Sequence, residues 1–222
     1  MSLDTYTKLL LHCDGTNTST NIIDSSPQNY GAASVSGAYI TTGTYEFGAS
    51  PWYVGSLVLG GGTYISYPHS SDWELGSGDF TIDFRRKCAD TSYGAIMHHY
   101  SNLGAPPWAG WIFIGSGPTT IWFNCGWPNP PAAGYPYFVF SSQQSIAVGE
   151  WHHVALVRKG NEMKAFFNGL VSPTTADMTG VTVQSSSSAL YIGQTYAAGY
   201  PYYFNGNLDE IRISKGIARW WV

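Results

Sequence analysis

Hydrophobic alternation with a period of two residues, repeated along the chain and unmatched by any helical period, restricts this sequence to a β-rich fold. Phe80, Ile82 and Phe84 alternate with Thr81, Asp83 and Arg85. On a pleated strand that spacing sends every apolar side chain to one face. Ile211 and Ile213 alternate with Glu210 and Arg212 in the same way. Further strands are predicted at 63–67, 110–114, 120–125, 152–158, 163–167 and 189–192, separated by clusters of Gly, Ser, Asn and Pro. Asn168 and Gly169 signal a hairpin after the 163–167 strand, since both tolerate positive φ. Only 73–75 and the last residues fit a helical turn. Many short strands without helical crossovers imply an all-β, two-sheet antiparallel β-sandwich. No linker or charge shift divides the chain, so residues 1–222 are expected to form one domain.

Composition sharpens what the sandwich presents to its surroundings. Charged residues make up 11% of the chain, against about 25% in average globular proteins, while aromatics reach 16%. The net charge is −4 and no basic run is longer than Arg85-Arg86-Lys87, which reads as solvated strand-end charge. Nucleic-acid binding needs positive charge clustered on one face, so it is not expected. No apolar run approaches 18 residues, so membrane insertion is not expected either, and no signal peptide is visible. Cys13, Cys88 and Cys125 are widely spaced and odd in number, which argues against a disulfide framework. Cys13 shares strand parity with Leu9 and Leu11 and reads as a small buried apolar residue.

Several segments, taken together and in order, carry a family resemblance. They are Leu9-Leu10-Leu11-His12-Cys13-Asp14-Gly15-Thr16, Ser56-Leu57-Val58-Leu59, Gly78-Asp79-Phe80-Thr81-Ile82-Asp83-Phe84 and Glu150-Trp151-His152-His153-Val154-Ala155-Leu156-Val157-Arg158. Phe167-Asn168-Gly169, Leu190-Tyr191-Ile192-Gly193 and Phe204-Asn205-Gly206-Asn207-Leu208-Asp209-Glu210-Ile211-Arg212-Ile213-Ser214 complete the set. This pattern resembles the laminin-G-like jelly-roll domains of the concanavalin A-like lectin/glucanase superfamily. Cys13 replaces the family's usual aromatic, Arg85 stands where Trp is common, and 92–145 has no family counterpart. The resemblance implies a structural Ca2+ near the joined chain ends, with Asp14 and Asp209 as the matching acids. The bland alternative for both is a turn hydrogen bond.

The same superfamily contains glycosidases, which set two carboxylates on either side of the scissile bond. Their Glu-x-Asp-x-Glu strand is missing from this sequence. Asp79 and Asp83 have same-face spacing but lie in a structural strand, and Asp209 and Glu210 are adjacent, so they point to opposite faces. The pairs His98-His99 and His152-His153 are adjacent too, and cannot converge on a metal. No catalytic residue is assigned, and the chain is not expected to be an enzyme.

Aromatic loops are the strongest binding signal. The stretch AAGYPYF at 132–138 recurs as AAGYPYYF at 197–204. Trp108, Trp127, Tyr135, Tyr137, Tyr200 and Tyr202 lie in Pro/Gly-rich sequence and are the candidate ligand contacts, whereas Trp111 and Trp122, alternating with Ile and Phe, read as core. Flat rings with a polar edge suit sugar faces and protein interfaces alike, and Asn102, Asn124 and Asn129 offer hydrogen bonds. The expected function is a non-catalytic carbohydrate- or surface-binding adhesion module recognising a glycan or cell-surface ligand. Its expected place is a virion, as a phage tail or head appendage, or the extracellular surface, as part of a larger secreted protein. The alternatives are an architectural protein whose loops contact virion proteins or make a homo-oligomer without binding glycans, and a glycosidase with displaced acids.

Overall fold

The fold is that of a computed structural model, which describes residues 4–44, 54–101, 109–125, 137–195 and 202–221. Chain order begins with β1 (Thr7–Leu11), β2 (Ser34–Ser36), β3 (Tyr39–Thr41), β4 (Ser56–Leu59), β5 (Tyr64–Tyr67), β6 (Phe80–Cys88), β7 (Tyr93–Ser101), β8 (Ala109–Ser116) and β9 (Thr120–Asn124). It continues with β10 (Tyr137–Ser141), β11 (Trp151–Lys159), β12 (Glu162–Phe167), β13 (Leu170–Asp177), β14 (Leu190–Ile192), β15 (Gln194–Thr195), β16 (Tyr202–Tyr203) and β17 (Gly206–Lys215). The helical element among the described residues is a 3-10 turn at Ser71–Trp73.

Two antiparallel sheets face each other, as the alternation predicts. The first runs β13-β12-β11-β6-β17-β4-β3, with β1 also paired to β17; the second runs β10-β9-β8-β7-β14-β5-β2. Pairing of Leu9 with Ile213 and Leu11 with Ile211 brings the first and last strands together. Phe80, Ile82 and Phe84 of β6 are fully buried, as are Ile211 and Ile213 of β17. They meet Trp111, Phe113, Ile121 and Phe123 of the second sheet in one core, with Phe84 edge-on to Phe113 at 5.3 Å. Each such side chain contributes roughly 1.5–3 kcal/mol by leaving water. Cys13 is buried as its parity requires.

The predicted hairpin forms between β12 and β13. Asn168 and Gly169 take φ of 49° and 80°, the left-handed pair that a two-residue turn needs to match strand twist. Pro173 sits within β13, which is tolerated because β13 is an edge strand.

The Arg85-Arg86-Lys87 reading needs correction. Arg86 follows the inward parity of Phe84 and is fully buried. Its Nε donates to His152 Nε2 at 2.8 Å and its Nη2 to the Pro118 carbonyl at 2.8 Å. Burial, and then the Arg86 charge, push His152 down to about 3, so the imidazole is neutral and able to accept. A side chain at Gly115 would put its Cβ 2.6 Å from Arg86 Nη1, so β8 leaves that position bare.

Candidate functional site

Strand parity divides the second sheet into a core face and an outer face. On β8, Trp111 and Phe113 point inward, while Ile112 and Ile114 join Tyr100 in a separate small cluster with Trp122 packed against it. Trp111 is core as predicted, its Nε1 donating to the Trp73 carbonyl at 2.8 Å. Trp122 is not. It sits between the inward Ile121 and Phe123, so the pleat turns it outward, where it is partly exposed.

Around Trp122 the outer face carries three of a row of four rings, and the fourth, Tyr202, comes from the separate two-stranded β15–β16 sheet. Tyr202 meets Tyr93 edge-on at 5.1 Å, Tyr93 meets Trp122 edge-on at 5.8 Å, and Trp122 stacks on Tyr137 at 5.5 Å and 24°. Tyr93 is 38% and Tyr137 53% exposed. Edge-to-face and offset contacts of this kind hold the rings in fixed mutual orientation. Asn124 pairs with Tyr137 across β9 and β10. Farther along, Tyr191 packs against Tyr64 at 5.7 Å and stacks on His98 at 5.0 Å. Burial, then the neighbouring His99, push His98 down to about 4, which keeps this stretch uncharged near neutral pH.

Of the predicted contacts, the structure brings Tyr137 and Tyr202 into this row. Trp108, Trp127, Tyr135 and Tyr200, with Asn102 and Asn129, lie outside the described residues. Sequence reasoning missed Tyr93 and misassigned Trp122, although the alternation around Trp122 already contained the answer.

The histidine pairs split across their sheets as adjacent strand residues must. His99 points inward and stacks on His69 at 5.5 Å, and His152 holds Arg86. His153 points outward, its Nε2 3.5 Å from Asp83 Oδ2. Among the described residues no three His, Cys, Asp or Glu side chains converge as metal ligands. Asp14 and Asp209 do lie in one neighbourhood, because both act electrostatically on His12, whose pKa is raised chiefly by its hydrogen bond from Nδ1 to Glu210. Burial raises Asp14 above its ordinary value, with His12 acting against the shift and Glu210 adding to it. Asp209 accepts the Glu210 N–H at 2.8 Å.

The other acids weighed for catalysis are engaged. Asp79 accepts the Gly160 N–H at 2.8 Å. Burial would raise Asp83, but hydrogen bonds from His153 and Arg212 outweigh it and the net shift is downward. A general acid of a glycosidase needs the opposite.

The profile of a laminin-G-type family, described as the concanavalin A-like lectin/glucanases superfamily, matches residues 59–218. The chain belongs to this superfamily. Solved structures of similar fold include the binding domain of Paraclostridial Mosquitocidal Protein 1, at a TM-score of 0.66 and 12% identity, covering 97% of this chain and 50% of that one. The Botulinum neurotoxin serotype D binding domain superposes at a TM-score of 0.60 with 15% identity, covering 96% and 48%. Domain 4 of AbnA, a GH43 extracellular arabinanase from Geobacillus stearothermophilus solved with arabinotriose, superposes at 0.57 with 16% identity, covering 96% and 94%. The chain thus spans about half of the toxin binding domains and nearly all of the arabinanase domain. No curated protein matches the sequence. At these identities the solved structures share the sandwich with this chain, and its chemistry has to be argued from its own residues.

Proposed function

We propose that the chain is a carbohydrate-binding module without catalytic activity, and that the outer face of its second sheet is the glycan platform. The observation that carries this reading is the row Tyr202–Tyr93–Trp122–Tyr137 on a partly exposed sheet surface. Rings held in this way offer flat apolar faces for sugar C–H groups, and the tyrosines of the row offer polar edges for hydroxyls. Two members of the same fold add support, one solved with arabinotriose and one, a Botulinum neurotoxin serotype D domain, with N-acetylneuraminic acid. A non-catalytic role is supported by Asp83 being committed to Arg212 rather than held as a proton donor. The module would work at a virion appendage or an extracellular surface.

A glycan array, followed by titration of the best binder, tests the platform. Specific binding that falls at least about tenfold in Trp122→Ala, the scale of a central aromatic anchor, is expected. A chain that binds no glycan, or one whose binding ignores Trp122→Ala and Tyr137→Ala, overturns it. Loss of a defined oligomer in those variants would favour the architectural alternative.

Calcium at Asp14 and Asp209 is a second, separate proposal, supported by the two acids lying in one neighbourhood beside His12 and Cys13. Those two acids would need backbone oxygens to complete the six to eight that calcium takes. Thermal melting with and without chelator tests it: a lowered midpoint is expected, and an unchanged one removes both acids as ligands.

A further inference from the structure

The first sheet carries a site of different character on its own outer face. A cavity of about 880 Å³ lies there, within the size range of small-molecule pockets. Asp83 of β6, His153 of β11, and Glu210 and Arg212 of β17 line it, with His12 just after β1 and Trp220 beyond β17. Trp220 stands 53% exposed, with the Arg212 guanidinium 5.8 Å from its ring centre and His153 edge-on at 5.6 Å. Two side chains thus brace the indole while about half of its surface stays open to an incoming molecule.

The charges of the lining are closed among themselves. Arg212 forks onto both oxygens of Asp83, Nε at 2.9 Å and Nη2 at 2.7 Å, and His153 Nε2 lies 3.5 Å from the same carboxylate. His12 Nδ1 and Glu210 Oε1 are 2.8 Å apart. Arg85, the remaining charged side chain of the lining, is engaged as well. The backbone builds this pairing. Glu210, at φ of 47°, sits in the β-bulge where the register of β17 against β6 shifts between Asp209 and Arg212. A bulge re-aims the side chains it carries, and this one brings Glu210 to the cavity wall beside His12.

Balanced pairs select a ligand by what they refuse. A charged molecule would have to prise a pair apart, and removing the partner of a nearly buried charge such as Asp83, 5% exposed, is costly. An apolar molecule would seal the pairs from water and leave their outward hydrogen-bonding groups unmet, including the three N–H groups of Arg212 outside its fork. A hydroxyl is donor and acceptor at once, so it can accept from the base of a pair and donate to the acid without separating them. The open indole asks in addition for a flat apolar face. A pyranose ring supplies both. We infer that this cavity binds an uncharged sugar unit of an oligosaccharide, its C–H face on Trp220 and its hydroxyls across the ion pairs. The site lies on the opposite sheet from the aromatic platform and does not rest on it.

Protein-observed NMR on the full chain tests the inference. Cellotriose, maltotriose and lactose serve as neutral probes, trigalacturonate as the anionic one and a glucosamine trimer as the cationic one. The indole N–H signals of Trp220 and Trp122 are identified by their loss in Trp220→Ala and Trp122→Ala. A neutral probe is expected to shift the Trp220 signal saturably, and the charged probes to bind at least about tenfold more weakly, a difference of about 1.4 kcal/mol. Read from the backbone amides of His153 and Arg212, the affinity is expected to fall about tenfold or more in Trp220→Ala, the scale of a central aromatic anchor. It should fall less in Trp220→Phe and stay unchanged in Trp122→Ala, with circular dichroism showing the variants folded. No response of Trp220 to any neutral probe up to about 50 mM (weaker than any useful site) overturns the inference. Equal binding of a charged probe, or binding lost in Trp122→Ala instead of Trp220→Ala, overturns it too. A null glycan array beside a responding Trp220 removes the platform and keeps this site, and the reverse result removes this site alone.

Discussion

The two outer faces of the sandwich show how one scaffold supports opposite surface chemistries. The face around Trp122 is shallow, aromatic and uncharged, and its rings orient one another. The face around Asp83 is concave, ionic and backbone-strained, and its groups are oriented by a buried ion pair and a bulge. On the first, contacts come from strand parity alone, so substitutions there should change binding more than stability. On the second, the same groups that line the cavity also hold the sheet, so substitutions there should change both. The teaching is that exposure separates function from stability on one side of this molecule and fails to do so on the other.

The largest expected effect is that of acid, and it falls on the platform side and the interior. Burial first, aided by neighbouring charge, pushes His98 and His99 down to about 4 and His152 to about 3, from an ordinary value of 6.5. The unfolded chain therefore takes up protons that the folded chain refuses. Stability should be fully present above pH 6.5 and fall as pH drops toward about 4, by up to about 1.4 kcal/mol per histidine per pH unit. Denaturant unfolding at pH 7, 6, 5 and 4 checks this; a flat profile would mean the three rings are not buried neutral.

Trp111→Ala should cost about 3–5 kcal/mol, the cavity penalty for a fully buried indole that also gives up its bond to the Trp73 carbonyl. Next comes Asp83→Ala, at about 3 kcal/mol, since it strands Arg212 beside a nearly buried position. Asp83→Asn should recover part of this by keeping one acceptor. If Asp83→Ala is harmless, the two faces do not differ in the way stated. The smallest effect is Trp122→Ala, within about 1 kcal/mol, because the ring is only partly buried. Urea midpoints of the Trp111→Ala and Trp122→Ala proteins, one residue type on two faces of one sheet, give the cleanest contrast.

Much of the fold was legible because parity is a local property. Phe80, Ile82 and Phe84 of β6 and Ile211 and Ile213 of β17 follow their alternation, and the Asn168-Gly169 hairpin follows from the conformational tolerance of two residues. β7 was not legible: a bulge between Ala95 and Met97 breaks its register against β8, and most of it is buried on both faces, which removes the polar half of the pattern. Arg86 was misread because charge was weighed above parity, though its neighbours Phe84 and Cys88 placed it inward. Trp122 was misread because its apolar neighbours were taken as core companions, whereas Ile121 and Phe123, one position away on either side, put it on the opposite face.

By itself, the order of apolar and polar residues determined an antiparallel sandwich, the inward faces of its main strands and an exterior rich in rings and poor in charge. Only the tertiary structure decided which rings touch and which charges pair. Tyr202, Tyr93, Trp122 and Tyr137 come from four strands, and Asp83, Arg212, His153 and Trp220 from three strands and the tail, so neither group exists until register and sheet order are set. Spacing along a strand is fixed by the pleat, whereas proximity between strands is a product of the whole packed fold.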